Sequence, residues 1–258
     1  MPASVCDSKS MIVFVTGATA GFGTAITRKF LRDGSKVVGT GRRQDRLDSL
    51  QKELGANFHG VSFDVGKRSE VERAIASLPA EFSSIDVLIN NAGGAVGLDP
   101  AQSANLDDWD AMISSNVNGV IYCTRLLLPG MVERKRGHII NLGSVAGEWP
   151  YPGGNVYCGV KAFVRQFSLS IRADLHGTGV RVTDIEPGLA SGTEFSQVRF
   201  KGDEKKAAAM YQGTQPLTPE DIADSVHWVA TRPAHVNVNI LQLMPTSQSF
   251  GPLLVKRD

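Results

Sequence analysis

Cysteine is scarce, charge is balanced and long apolar runs are missing, and each absence closes off a class of function. Three cysteines among 258 residues, Cys6, Cys123 and Cys158, are too few and too scattered for a disulfide framework or a thiolate metal site. The five histidines show no H-x-x-x-H spacing, so no metal is expected. A formal net charge of +1 gives no electrostatic ground for a nucleic-acid or membrane partner. The basic pairs Arg42-Arg43 and Lys205-Lys206 are short, with acids nearby. No uninterrupted apolar stretch approaches membrane-spanning length, and Met1 to Ser10 lacks the apolar centre of a secretory signal. There is no internal repeat, low-complexity tract or linker. A cytoplasmic, reducing setting is therefore expected, with residues 1–10 a disordered extension and 11–258 one domain.

What is present is alternation. Hydrophobic residues make up 42% and charged residues 21%, enough for a substantial core. Apolar, β-branched runs predict strands at Ile12–Thr16, Lys36–Thr40, Phe58–Phe63, Val87–Asn90, His138–Leu142, Arg181–Ile185 and Val238–Met244. Amphipathic stretches predict helices at Gly23–Asp33, Asp45–Leu54, Ser69–Leu78, Leu106–Asn116, Val120–Arg134, Tyr157–His176 and Pro219–Thr231. Short continuous apolar strands separated by helices mark a parallel sheet covered on both faces. The fold class is α/β: a single-domain, Rossmann-like doubly wound parallel sheet of about seven strands.

Between the first strand and first helix runs Thr16-Gly17-Ala18-Thr19-Ala20-Gly21-Phe22-Gly23. Glycines permit a tight turn and close approach of a pyrophosphate, and a helix N-terminus offers free amides and a positive dipole end. The spacing is G-x-x-x-G-x-G rather than G-x-G-x-x-G. After the second strand, where an acid would hold the ribose 2′-hydroxyl of NAD, stands Gly41, followed by Arg42 and Arg43. Guanidinium suits the 2′-phosphate of NADP, so NADP is the expected cofactor.

Tyr157 and Lys161 stand four apart, on one face of a helix. An ammonium beside a phenol favours the ionised form, lowering a pKa of about 10 toward a usable acid or base. Ser144, on a separate segment, offers a hydroxyl to a substrate oxygen. Trp149, Tyr151, Gly153, Gly154 and Asn155 lie between Ser144 and Tyr157, as a substrate wall or as packing for the turn. Gly188 to Gln215 reads as a lid over the site, the alternative being a long loop with one surface helix. Within it, Arg199 and Lys201 are candidates for holding a carboxylate, with a solvated charged face the preferred reading for both. Cys158 reads as helix packing; modification there is a second reading, one that would perturb Tyr157.

These motifs, in this order, resemble the short-chain dehydrogenase/reductase family over nearly the whole chain. The matching residues are the Thr16–Gly23 turn, Asp64-Val65, Asn90-Asn91-Ala92-Gly93, Asn116, Ser144, Tyr157 with Lys161, and Pro187-Gly188 followed by Thr193. The segments around Met11–Gly23, Thr40–Arg43, Trp149–Tyr151 and Asp184–Gly188 further resemble its NADP-dependent 3-hydroxy acid dehydrogenases. That subgroup is also called serine or L-allo-threonine dehydrogenase and malonic semialdehyde reductase. Cys158-Gly159-Val160 departs from the small residues usual between the tyrosine and the lysine.

The resemblance implies that Asp64 hydrogen-bonds the adenine with Val65 packed nearby, and that Asn91, Ala92 and Gly93 line the cofactor. It implies that Tyr157 exchanges a proton with the substrate and that Lys161 lowers its pKa and bonds the nicotinamide ribose. Ser144 would hold the substrate oxygen and Asn116 anchor a proton-relaying water. Pro187, Gly188 and Thr193 would border the nicotinamide end. It also implies a homotetramer assembled through the helices of Val120–Arg134 and Tyr157–His176. The expected partner is a small hydroxy acid or carbonyl compound. Two other readings stay open: a reductase of neutral ketones or aldehydes, and a protein that senses NADP without turnover.

Overall fold

The computed structural model describes residues 11–250; the expected N-terminal extension lies outside the described residues. Seven strands form one parallel sheet: β1 Ile12–Val15, β2 Lys36–Gly41, β3 Phe58–Ser62, β4 Val87–Asn90, β5 Gly137–Leu142, β6 Val180–Pro187 and β7 Ile240–Leu243. Their order is β3-β2-β1-β4-β5-β6-β7. The helices between them are α1 Gly21–Arg32, α2 Gln44–Leu54, α3 Arg68–Ala76, α4 Ala80–Ser83, α5 Leu106–Ile113, α6 Gly119–Glu133, α7 Asn155–Asp174, α8 Phe195–Arg199, α9 Glu204–Ala209 and α10 Pro219–Ala230.

Strand alternation decides which face each residue serves. Val13 and Val15 of β1 join Ile26 and Phe30 of α1, Leu47 of α2 and Val226 of α10 on one side of the sheet. Phe14 points the other way, into Val71 of α3, Cys123 and Leu127 of α6 and Ile171 of α7. Each fully buried side chain of this size, such as Phe14 or Phe30, contributes about 1.5–3 kcal/mol.

Two departures from the sequence pattern occur near the site. Leu106–Asn116 and Val120–Arg134 are not separate helices: a π-helical turn, Ser114–Asn118, carries α5 directly into α6. A π-turn inserts one residue into the helical ladder and is invisible to hydrophobic periodicity. The segment Gly188–Gln215 holds two short helices, α8 and α9, rather than one. Its ends are pinched together, Leu217 N donating to Leu189 O (3.0 Å) and Ser191 N to Leu217 O (2.9 Å).

β1 lies between β2 and β4, so the chain reverses its direction of travel across the sheet there. Such a switch point opens a crevice beyond the carboxyl ends of the strands. A cleft of about 1110 Å³ lies there.

Candidate active site

The glycine turn is held open by its neighbours. Gly17 and Gly21 adopt φ of +70° and +49°, which favour glycine. Asn91 at the end of β4 donates from Nδ2 to Thr16 O (2.8 Å) and Gly17 O (3.2 Å). Thr16 Oγ1 in turn accepts from the Asn91 and Ala92 amides, at 2.9 Å each. A Cβ on Gly23 would lie 2.1 Å from Gly17 O, so the helix start packs against the turn itself. The N-cap Ala20 makes no side-chain capping bond and the first turn of α1 carries no acid. Its amides are therefore left for an external anion.

At the end of β2, a Cβ on Gly41 would meet Thr19 Cγ2 at 2.8 Å. An acid there would require Thr19 to shift. Arg42 is exposed on the rim of the cleft. Arg43 is already engaged: its Nη1 donates to Glu194 (2.9 Å) and its Nη2 to Thr19 Oγ1 (3.2 Å). Arg46 joins Glu194 at 2.7 Å. An uncapped helix start, glycines crowded against their neighbours and a free guanidinium at the rim fit the pyrophosphate and 2′-phosphate of NADP.

Asp64 also lines the cleft, its Oδ1 accepting from Gly66 N (3.0 Å). Val65 packs behind it, 2.8 Å from where a Cβ on Gly119 would sit. Gly93 abuts Asn116: a Cβ there would lie 2.4 Å from Asn116 Oδ1. Asn116, within the π-turn, donates from Nδ2 to Gly94 O and Met112 O, at 3.0 Å each. Its buried Oδ1 has no partner among the described residues.

Ser144, just beyond β5, accepts from Ala146 N (3.1 Å) and reaches Pro187 O at 3.4 Å. Tyr157 and Lys161 occupy successive turns of α7, both buried. Lys161 Nζ lies 5.8 Å from the Tyr157 ring centre and donates to Leu142 O at 2.8 Å. Burial, reinforced by Tyr151, pushes the Tyr157 phenol above its usual range, while Ser144 and Arg199 work against the rise. Burial also lowers Lys161 to about 8, with Asp184 opposing. This differs from the expected lowering of the phenol by the ammonium. Loss of solvation disfavours both charged forms, and the protein alone does not reverse it.

Pro187 and Gly188 close β6, with Gly188 N donating to Leu243 O (2.7 Å). Thr193 sits against Gly21, its Cγ2 2.8 Å from a Cβ built there. The candidate wall divides. Trp149 and Tyr151 line the cleft, whereas Gly153 (φ +76°) and Asn155 fasten the turn to Leu98 and Asp99.

With this geometry in place, the relatives are informative. Residues 11–204 match the model of the short chain dehydrogenase family. The chain belongs to that family. It is 61% identical over 248 residues to the NADP-dependent 3-hydroxy acid dehydrogenase YdfG of Escherichia coli strain K12, covering 96% of this chain and 100% of the relative. It is 51% identical over 246 residues to the serine 3-dehydrogenase of Rhizobium radiobacter, covering 95% and 98%. Among solved structures it resembles the closed form of a serine dehydrogenase complexed with NADP+ at 60% identity. The TM-score is 0.95, covering 96% of this chain and all of that one.

The sequence did not reveal how buried the lid's arginine is, nor the acids behind the dehydrogenase's lysine. Arg199 is 5% exposed, so its preferred reading as a solvated charge is overturned. Lys201 keeps that reading, paired with Asp108 at 2.7 Å and half exposed. Asp184 and Glu186 of β6 are fully buried. Arg165 binds Glu186 at 2.7 Å, and burial pushes the Asp184 carboxyl up. Alternating acids at Asp184 and Glu186, within a strand that also holds Val180, Val182 and Ile185, were the available signal.

Proposed function

We propose that the chain is an NADP-dependent oxidoreductase that moves a hydride between NADP and the 3-hydroxyl carbon of small 3-hydroxy acids such as serine. The observation that carries this is convergence: Ser144, Tyr157 and Lys161 line the same cleft as the Gly17–Gly21 turn and Arg42. The names of its relatives support the same cofactor and substrate class. NADP supplies the hydride acceptor or donor; the chain's residues align and manage protons.

In the oxidation direction, the Ser144 hydroxyl donates to the substrate oxygen and Tyr157, in the ionised form that its burial disfavours in the protein alone, takes the proton as the carbon gives up hydride. Lys161 supplies a cation beside that oxygen and a donor toward the ribose. Asn116 would anchor a proton-relaying water, a role supported by its buried Oδ1, which has no partner among the described residues. Gly17 to Gly23, through Ala18, Thr19, Ala20, Gly21 and Phe22, cradle the pyrophosphate. Arg42 meets the 2′-phosphate, with Arg43 bracing its flank. Asp64 and Val65 border the adenine. Asn91, Ala92 and Gly93 support the cofactor's middle, and Pro187, Gly188 and Thr193 its nicotinamide end. Assembly as a homotetramer through α6 and α7, and a cytoplasmic setting, complete the reading.

The deciding experiment is a panel of hydroxy acids and neutral alcohols, run with NADP and NAD and followed by nicotinamide absorbance, on wild type and Tyr157→Phe. Removing the proton acceptor should lower turnover at least 100-fold, within the range for general acid–base groups, while NADPH binding persists. Wild-type turnover in Tyr157→Phe would refute the assignment. Preference for neutral alcohols would shift the substrate class to ketones and aldehydes.

A further inference from the structure

Arg199 ends α8 inside the cleft, where it interacts with the Tyr151 hydroxyl but pairs with no carboxylate among the described residues. It is 5% exposed, and its Nε and Nη2 have no hydrogen-bond partner among the described residues. Three rings surround it: the guanidinium carbon lies 5.1 Å from the Tyr151 ring centre, 5.6 Å from Tyr157 and 5.9 Å from Phe195, distances at which cation and ring attract. The donors project from its edge, and a ring cannot satisfy them. Buried donors of this strength are rarely left unmet.

Neighbouring cations are already occupied. Lys201 is paired with Asp108, Arg43 and Arg46 with Glu194, and Lys161 donates to Leu142 O. The backbone of Arg199 is fixed as well, its carbonyl accepting from Gly97 N at 2.9 Å. The guanidinium is thus buried among three rings and short of an acceptor at Nε and Nη2, its carbon 5.6 Å from the ring of the phenol assigned to proton exchange.

We infer that Arg199 is the residue that binds the substrate carboxylate, and that it selects acids whose carboxylate stands one carbon from the reacting carbon. The inference rests on the assignment of Tyr157 and Ser144 to the substrate oxygen. A carboxylate matches two edge donors in a fork, which a hydroxyl or amide cannot do with equal strength. With the substrate oxygen at Tyr157 and the guanidinium against the same ring, the spacer between them must be short. A 3-hydroxy acid has that spacing.

The test compares 3-hydroxypropionate with its primary amide, which has the same heavy-atom count but no charge, in wild type, Arg199→Gln and Arg199→Lys. The ratio of kcat/KM for acid over amide should fall roughly 100-fold in Arg199→Gln, as for loss of hydrogen bonds to a charged group. Arg199→Lys should restore part of that ratio, through charge without the fork. Wild-type enzyme supplies a second measurement that no folding defect can confuse. Propionate should compete with the hydroxy acid in the NADP-loaded protein, and propionamide at the same concentration should not. An unchanged acid-to-amide ratio in a variant that still binds NADPH would overturn the inference, and so would equal inhibition by propionate and propionamide. Failure of the hydride-transfer reading looks different: neither acid nor amide is turned over, while propionate binding, followed through NADPH fluorescence, still reports on Arg199.

Discussion

In the proposed phosphate seat, Arg42 and Gly41 would act on the nucleotide in opposite senses, one by attraction and one by exclusion. Arg42 stands exposed at the rim with its charge available, whereas Gly41 leaves no room beside Thr19 for the acid that would hold a ribose hydroxyl. Arg42→Ala should therefore raise KM for NADP by roughly 30-fold, equivalent to about 2 kcal/mol for a charge-assisted contact. KM for NAD should move far less. Steady-state kinetics with both cofactors checks this, and an unaltered preference would remove Arg42 from the phosphate seat. The choice of nucleotide was legible because it depends on residue type at a position the strand pattern fixes. The setting of Arg199 was not, because burial of a long cation depends on which rings the lid folds over it.

The segment expected to serve as a lid is tied down by a pair of contacts that join elements far apart in the chain. Glu194, just before α8, binds Arg43 at 2.9 Å and Arg46 of α2 at 2.7 Å. Phe195 then lies 5.7 Å from the Tyr157 ring, centre to centre. A carboxylate partly open to solvent contributes at most about 1 kcal/mol per pair. Glu194→Ala should thus speed amide exchange in residues 195–210 by several-fold, with no change in the sheet, and added salt should produce a similar effect in wild type. Equal exchange in the two proteins would show that the pairs do not restrain the segment. Elements of the sheet were readable from sequence, since burial on both faces writes itself into continuous apolar runs. The π-turn was not, because Ser114–Asn118 keeps the polar and apolar character of an ordinary helix while adding one residue to the ladder.

Across the molecule, the sheet carries ionisable groups in its interior, and they set how stability depends on pH. His138 of β5 is 1% exposed, with Nε2 2.8 Å from Thr183 Oγ1. Burial, helped by the charge of Arg181, holds its pKa well below the ordinary value. The unfolded chain takes a proton near pH 6.5 and the folded chain does not, so this group's contribution is whole above that pH and declines below it. Asp184 acts in the reverse sense. Its raised pKa makes the fold bind more protons than the unfolded chain, and that contribution is lost as pH rises. Comparing wild type with His138→Gln separates the two, since both proteins share Asp184. Denaturant unfolding at pH 5.5 and 7.5 should show the wild type losing more stability on acidification than the variant. Identical losses would mean that His138 is not the acid-sensitive group.

The pinch between Leu189 and Leu217 gives the enzyme a modular character. The chain between those two points leaves and rejoins the frame at neighbouring positions, while the strand ends and α7 lie outside it. Ser144, Tyr157 and Lys161 belong to the chassis, and Arg199 travels with the insert. Thr193, packed against Gly21, and Glu194, bound to Arg43, travel with it too, so remodelling this one excursion would reshape the mouth of the cleft while the phenol and the lysine keep their own helix.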